Sequence, residues 1–208
     1  KTAALFQTEL GITREDEPKP SGPVYLAQDG EVVALKGECQ SVKLGPKATV
    51  FGRLHQTNDL ASPSQPAASI TKLGRGRIAA TYCSFGQGYF SAPTEAARRF
   101  LNDLARQLFP SPMVEVTGSS GVDVCVARNH GKLLVNLVNT AGPHRTQSIL
   151  ESIPPIGPLT VGIRHAKKPA KVTLEPSGKP LTFDYRAGKI LLKVPAVEIH
   201  EVIVIEPK

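Results

Sequence analysis

Several residue types that often mark functional sites are scarce in this 208-residue sequence. It contains no tryptophan, one methionine and three cysteines, and aromatic residues make up only 5% of the chain. None of the cysteines lies in a Cys-x-x-Cys pair, so the usual zinc-ligand spacing is absent. No apolar run reaches the roughly 18 residues that a membrane helix requires. We therefore predict no metal site, no cofactor and no membrane partner.

The charge is positive but dispersed. The net charge is +7, of which residues 1–110 contribute +3 (13 basic, 10 acidic) and residues 111–208 contribute +4 (12 basic, 8 acidic). Nucleic-acid-binding proteins concentrate basic residues and place aromatic residues among them, whereas the only tight basic cluster here is Arg75 and Arg77. The sequence predicts no nucleic-acid partner. The 40% hydrophobic and 21% charged composition is that of an ordinary globular protein.

The three cysteines leave at least one free thiol. Cys83 and Cys125 both lie in apolar, strand-like runs, where a buried and unreactive cysteine is the common outcome. We therefore expect buried thiols rather than a disulfide framework. The cysteines assign the protein to neither an oxidising nor a reducing compartment.

Residues 1–110 combine two helical patterns with several short β-rich runs. The apolar stripe between Pro93 and Phe109 has helical spacing, and Thr2–Leu10 reads as a helix already under way, which suggests a fragment of a longer chain. Asp29-Gly30 and the turn Gly74–Gly76 are hairpin signals. The predicted strands are Val24–Ala27, Glu31–Leu35, Lys47–Leu54, Ala68–Lys72 and Arg77–Cys83.

The pattern changes at Phe109-Pro-Ser-Pro112, which we take as a domain boundary. Beyond it lie only short β-rich runs at the spacing of a β-sandwich. We therefore predict an antiparallel sandwich over 111–208. Its strands are expected at Val114–Val116, Val122–Ala127, Leu133–Asn139, Leu159–Arg164, Lys171–Leu174, Leu181–Tyr185, Ile190–Val194 and Val197–Ile205.

A series of phrases, in order, resembles the C-terminal end of bacterial glycoside hydrolases of the β-galactosidase and α-fucosidase-like kind. In those enzymes a catalytic barrel precedes a β-galactosidase trimerisation domain, with a class I glutamine-amidotransferase-like fold, and then a small β-sandwich. The resemblance spans nearly the whole chain. The phrases are Leu73–Tyr82, Arg98–Leu104, Leu133–Asn139, Ile153–Pro158, Val172–Gly178 and Val202–Ile205.

The resemblance implies that residues 1–110 are the later half of a flavodoxin-like α/β sheet. It also implies that the barrel with its two catalytic carboxylates lies upstream. The chain would then be a non-catalytic accessory region with that barrel as its partner. A periplasmic or extracellular location follows only if the parent enzyme is a secreted bacterial glycosidase.

Half of a doubly wound sheet would leave an apolar face uncovered near Val24–Leu26, Val32–Leu35 and Val50–Leu54. We therefore expect a homo-oligomer whose interface comes from the α/β half. The alternative is that these runs form a compact antiparallel sheet closed on itself, which the two hairpin signals favour.

Candidate ligand-binding residues lie in two places. His55 ends a predicted strand and precedes Asn58 and Asp59, and strand ends are where α/β proteins place ligands, although an ordinary surface loop has the same composition. Phe183 and Tyr185 lie two apart and would share one strand face, as a sugar-stacking pair or as core residues. At each place the binding interpretation and the structural one stay open. A small-ligand or carbohydrate-binding module is therefore the alternative function.

A third function, a cysteine hydrolase built on Cys83, would follow the amidotransferase resemblance. The run Thr81–Gly88 superficially resembles a nucleophile elbow. Thr81, however, stands where a glycine is expected, and no His-x-Glu pair follows in residues 84–110. A structural cysteine at position 83 is the preferred interpretation, so no residue is assigned as catalytic. Gly74–Gly76 could cradle an anion but fits a tight hairpin turn better.

Because the resemblance places the catalytic carboxylates upstream, we predict that the isolated chain hydrolyses no glycoside. Assays of the purified chain with nitrophenyl glycosides should show no turnover above the buffer rate. Turnover that a point mutation within the chain abolishes would contradict this prediction.

Overall fold

The computed structural model describes residues 6–91, 94–141 and 152–208, with the backbone alone at positions 21 and 91. The chain divides into two compact units, Lys1–Ser111 and Pro112–Lys208. The division lies within Phe109-Pro-Ser-Pro112, one residue after the predicted division between residues 110 and 111. Each unit has its own buried core.

The N-terminal unit contains seven strands and three helices among its described residues. The helices are α1 (Gln7–Leu10), α2 (Phe85–Ser91) and α3 (Glu95–Leu108). The strands are β1 (Ile12–Arg14), β2 (Lys19–Gln28), β3 (Glu31–Cys39), β4 (Val42–Leu44), β5 (Ala48–His55), β6 (Ser64–Leu73) and β7 (Gly76–Thr81). The helix predicted from Pro93 is confirmed from Glu95, after the N-cap Thr94, whereas α2, β1 and β4 were not predicted. The first part of the predicted helix Thr2–Leu10 lies outside the described residues.

All pairing in the five-stranded sheet, in the order β3-β2-β5-β6-β7, is antiparallel. The prediction of a partial flavodoxin-like sheet is therefore corrected for these residues. A parallel pair requires a crossover of a dozen or more residues, whereas two of these connections are tight hairpins. Asp29 and Gly30, with φ of 51° and 81°, join β2 to β3, and Gly74 with Arg75 joins β6 to β7.

The two edge strands of this sheet meet at one end. Cys39 of β3 and Cys83, two residues after β7, form a disulfide with a Cα–Cα distance of 4.1 Å. In a flat five-stranded sheet the edge strands would lie about 19 Å apart, and two residues of extended chain span only about 7 Å. The sheet must therefore curl strongly to bring these residues together.

Backbone hydrogen bonds flank the disulfide on both sides. The N–H of Gln40 donates to the carbonyl of Tyr82 at 2.8 Å, and the N–H of Ser84 donates to that of Glu38 at 2.9 Å. A Cβ at Gly37 would lie 2.6 Å from the Ser84 hydroxyl oxygen, so a larger residue there would displace the Ser84 side chain. The backbone at the junction is thus paired as in a short stretch of antiparallel sheet. The structure therefore contains the self-closed antiparallel sheet that the sequence left as the alternative.

Helix α3 covers the curled sheet. Its buried side chains, Ala97, Phe100 and Leu104, pack with Leu26, Leu35 and Leu54 of three strands, and the Arg99 guanidinium forms an ion pair with Glu31 at the start of β3. The leucines of the predicted apolar surface are thus buried, at 2–8% exposure, whereas Val32 and Val50 remain 38% and 39% exposed. The oligomer prediction assumed a continuous uncovered apolar face. In the structure Val32 and Val50 are the large apolar residues of that face that remain exposed.

A smaller cluster lies against β6 and β7. It is formed by Leu10 of α1, Ile12 of β1, Val42 of β4 and Tyr82. The hydroxyl of Thr71 donates to the Leu10 carbonyl at 2.5 Å, and the hydroxyls of Tyr82 and Ser69 also lie 2.5 Å apart. Burial raises the pKa of Tyr82 despite this hydrogen bond, so the phenol remains protonated at neutral pH.

The C-terminal unit is a sandwich of two antiparallel sheets, as the strand spacing predicts. One sheet has the order β13-β12-β16-β10-β9 and the other β14-β15-β11-β8. Fourteen buried residues, among them Val135, Val161 and Ile203, form its core. The strands are β8 (Val114–Thr117), β9 (Val122–Asn129), β10 (Lys132–Asn139), β11 (Leu159–Arg164), β12 (Lys171–Glu175), β13 (Lys179–Pro180), β14 (Phe183–Arg186), β15 (Lys189–Val194) and β16 (His200–Glu206).

The cysteine predictions were wrong in two respects. Cys83 is buried, but its sulfur is bonded to Cys39 rather than free. Cys125 carries the free thiol and is exposed on β9, an edge strand of the sandwich. The sequence shows that both residues lie in strands, but strand pairing across 44 residues of chain decides which sulfurs meet.

Replacing both disulfide cysteines by serine should lower the free energy of unfolding by about 4 kcal/mol, because the disulfide closes a loop of 44 residues. Urea unfolding under oxidising conditions measures the loss. Cys125→Ser is the matched control and should change the free energy by less than about 0.5 kcal/mol. An unaltered unfolding midpoint in the Cys39→Ser/Cys83→Ser variant would refute a structural role for the bond.

Candidate functional site

A cleft of about 950 Å³ lies in the N-terminal unit, between the ends of β2 and β5 and the C-terminal half of α3. Val50, Phe51 and Leu60 supply apolar surface to its lining. Its polar lining comes from Gln28, Arg53, His55, Ser64, Asp103 and Gln107, and Asp29 also contributes. The cleft therefore offers both apolar surface and hydrogen-bonding groups, as small-molecule sites commonly do.

His55, the last residue of β5, is the most deeply buried of these polar groups, with 5% of its surface exposed. Its Nδ1 lies 3.2 Å from the Ser62 carbonyl oxygen and 3.5 Å from the Ser62 hydroxyl oxygen. A carbonyl can only accept, so Nδ1 is assigned as the protonated nitrogen. The loop that follows β5 thus returns to fix the orientation of the imidazole ring.

Four of the remaining polar groups are held by contacts between elements. An Arg53 nitrogen donates to the Ser64 hydroxyl at 3.3 Å, which links β5 to β6. The Gln28 amide donates to an Asp103 carboxylate oxygen at 3.4 Å, which links β2 to α3. The other oxygen of Asp103 lies 3.9 Å from an Arg106 nitrogen. Strand ends and helix therefore converge on the cleft with their side chains already positioned.

Gly52 is a steric requirement of the cleft wall. Its φ is +66°, in the left-handed region that favours glycine, and a Cβ there would lie 2.5 Å from the Phe100 ring. The Phe100 ring also contacts those of Phe51, at a centroid distance of 5.3 Å, and Phe85, at 4.7 Å. The absence of a side chain at position 52 lets α3 approach β5 closely enough to form the wall.

Of the predicted strand-end residues, only His55 lines the cleft. Asn58 and Asp59 are exposed on the loop between β5 and β6. An Asp59 carboxylate oxygen accepts from the Ala61 N–H at 2.9 Å, and the Asp59 carbonyl accepts from the Ser62 N–H at 3.0 Å. In this structure Asp59 shapes the loop that holds His55, and ligand binding by these residues stays a prediction.

Sequence reasoning missed most of the cleft. Gln28, Arg53, Asp103 and Gln107 line it but were not proposed as site residues. One signal was present, since Asp103 and Gln107 lie four residues apart and share one face of α3. Nothing in the sequence pattern shows that this face meets the ends of β2 and β5.

Phe183 and Tyr185 do share one face of β14, and that face points toward the core of the sandwich. Both are partly buried against the core cluster, whereas Asp184 and Arg186 on the opposite face are exposed. The Tyr185 hydroxyl donates to the His165 carbonyl at 3.1 Å. These contacts match the core-pair interpretation, and sugar stacking by the two rings stays untested.

The structure also bears on a cysteine nucleophile and on a metal site. The Cys83 sulfur is consumed in the disulfide, and a nucleophilic thiolate there would require its reduction. Within the described ranges, no group of three or more His, Cys, Asp or Glu side chains could hold a metal ion. No helix in the same ranges is long and apolar enough to cross a membrane.

Solved structures with a similar fold are parts of glycoside hydrolases. Alpha-L-fucosidase isoenzyme 2 from Paenibacillus thiaminolyticus is 17% identical, with a TM-score of 0.73 over 96% of this chain. A catalytic mutant of Gan42B, a GH42 β-galactosidase from G. stearothermophilus, is 18% identical, with a TM-score of 0.53 over 97% of this chain. At these identities the similarity shows the fold alone.

This chain spans only a fraction of those enzymes. It covers 34% of the fucosidase and 24% of the β-galactosidase. The matched portions are C-terminal. No family model matches the sequence, and no curated protein matches it significantly.

Gly52→Ala should destabilise the N-terminal unit more than Gly74→Ala does. Both glycines have positive φ, but no atom lies within 4 Å of a Cβ at Gly74, whereas one at Gly52 meets Phe100. Backbone strain should cost each variant about 1–2 kcal/mol, and overpacking should cost Gly52→Ala a further 1–3 kcal/mol or so. Urea unfolding compares the two, and equal losses would show that Phe100 relaxes freely.

Proposed function

We propose that this chain is the non-catalytic, accessory C-terminal region of a glycoside hydrolase. The observation that carries the proposal is the asymmetry of coverage. Two glycoside hydrolases match 96–97% of this chain, whereas the chain matches only 24–34% of them. A folded two-unit chain that corresponds to a minority of an enzyme fits a supporting role beside a separate catalytic domain.

The proposed partner is the upstream catalytic barrel of the parent protein. The sandwich would stabilise that barrel by packing against it. The N-terminal unit would serve assembly, the role of the trimerisation domain that the sequence resembles. Its antiparallel sheet gives no support to an amidotransferase-like fold. We therefore propose the assembly role for this unit but not the amidotransferase-like fold. The homo-oligomer also stays a proposal, but without its original premise of an uncovered sheet face.

The disulfide supports a compartment for this protein. Disulfides form and persist in the periplasm and outside the cell and are rare in the reducing cytosol. Cys39 and Cys83 are both buried, and their bond joins the edges of the main sheet. We therefore propose that the parent enzyme is exported. The same bond weighs against the cysteine hydrolase, whose nucleophile would be one of the bonded sulfurs.

The complete coding sequence is the first test, and we expect a catalytic domain upstream of residue 1. In the complete protein, deletion of residues 112–208 should then lower the thermal unfolding midpoint. Among the molecules that remain folded, kcat/KM for a nitrophenyl glycoside should stay within about threefold, because no transition-state contact is lost. An unaltered midpoint together with a large fall in kcat would instead assign a catalytic contribution to this region.

A further inference from the structure

The cleft beside His55 has a hydrogen-bonding group without a partner. Nδ1 of the buried imidazole is engaged with Ser62, and Nε2 has no hydrogen-bond partner among the residues that the structure describes. In a neutral ring with the proton on Nδ1, Nε2 is an acceptor. The His55 residue as a whole is 5% exposed, but Nε2 is not among the side-chain atoms that are buried without a partner, so solvent reaches it. A ligand in the cleft can therefore replace water as the donor to Nε2.

The other polar groups of the cleft supply both donors and acceptors. Arg53 can only donate, the Asp103 carboxylate accepts, and the amides of Gln28 and Gln107 do both. A hydroxyl group also donates and accepts, so closely spaced hydroxyls match this mixture better than a purely anionic or purely cationic ligand does. The carboxylates of Asp29 and Asp103 outnumber Arg53, which disfavours an anion.

Apolar lining completes the match to a sugar. Phe51, half-buried against Phe100, and the exposed Val50 and Leu60 line the same cleft. One face of a pyranose is largely C–H and packs on such surface, while its hydroxyl rim meets the polar groups. We infer that this cleft is a binding site for a neutral pyranoside, with His55 Nε2 accepting from one hydroxyl and Arg53 and Gln107 contacting others.

The geometry of the site is independent of the accessory role, but the choice of sugars rests on that proposed function. The probes are methyl α-L-fucopyranoside and methyl β-D-galactopyranoside, with methyl β-D-glucuronide as an anionic counterpart. In the ¹⁵N-histidine-labelled chain, five imidazole rings report on binding, each through its Nδ1 and Nε2 signals. The pair of signals absent from His55→Gln identifies His55. We expect saturable displacement of the His55 Nε2 signal by a neutral sugar and at least fivefold weaker binding of the glucuronide, roughly the effect of one adverse polar contact.

Variants separate binding from folding. Gln107→Ala and Arg53→Gln should each weaken binding about fivefold, the loss expected for one hydrogen bond. Asn102→Ala is the matched control, because Asn102 is exposed on the same helix but does not line the cleft. It should leave the affinity unchanged. Because both cleft variants alter exposed side chains, their unfolding midpoints should stay near that of the parent even if His55→Gln folds poorly.

Two results would overturn the inference. One is the absence of saturable displacement by either neutral sugar up to about 100 mM, far above the Kd of even a weak specific site. The other is binding that Gln107→Ala and Arg53→Gln leave intact, which would place the sugar elsewhere. Neither result touches the accessory role, because that role depends on the deletion experiment in the complete protein.

Discussion

The junction between Cys39 and Cys83 is the constraint on which the N-terminal unit depends. The disulfide and the two flanking backbone hydrogen bonds hold the edge strands β3 and β7 together at one end. An open sheet would present two rows of unpaired backbone groups and an apolar face to solvent. With its edges joined, the same sheet forms a concave surface that α3, a helix of 14 residues, covers together with Phe85 of α2.

The closure also accounts for the position of the cleft. Helix α3 contacts both edge strands, and its Asp103 reaches Gln28 at the end of β2. Gly52 lets the Phe100 ring approach β5, so that the polar side of α3 lies beside Arg53 and His55. Helix α3 thus contributes both to the buried core of the unit and to the wall of the cleft.

The C-terminal unit has no disulfide among its described residues, and burial between its two sheets forms its core. Its fourteen core residues come from both sheets, so each sheet covers the inner face of the other. Complete burial of residues such as Val135, Val161 and Ile203 contributes about 1.5–3 kcal/mol for each side chain. This organisation suits the proposed role of a domain that stabilises a neighbouring barrel by packing against it.

By itself, the sequence determined the local features of this protein. The stripe of Ala97, Phe100, Leu101 and Leu104 specified α3, Asp29-Gly30 specified a hairpin, and alternating residues specified the sandwich strands, because these signals act between neighbours along the chain. Only the tertiary structure decided that β3 meets β7, that Cys39 rather than another cysteine bonds Cys83, and that Arg53, His55 and Gln107 share one cleft. Those outcomes depend on how far the sheet curls and where α3 lies on it, and both follow from packing between residues far apart in sequence.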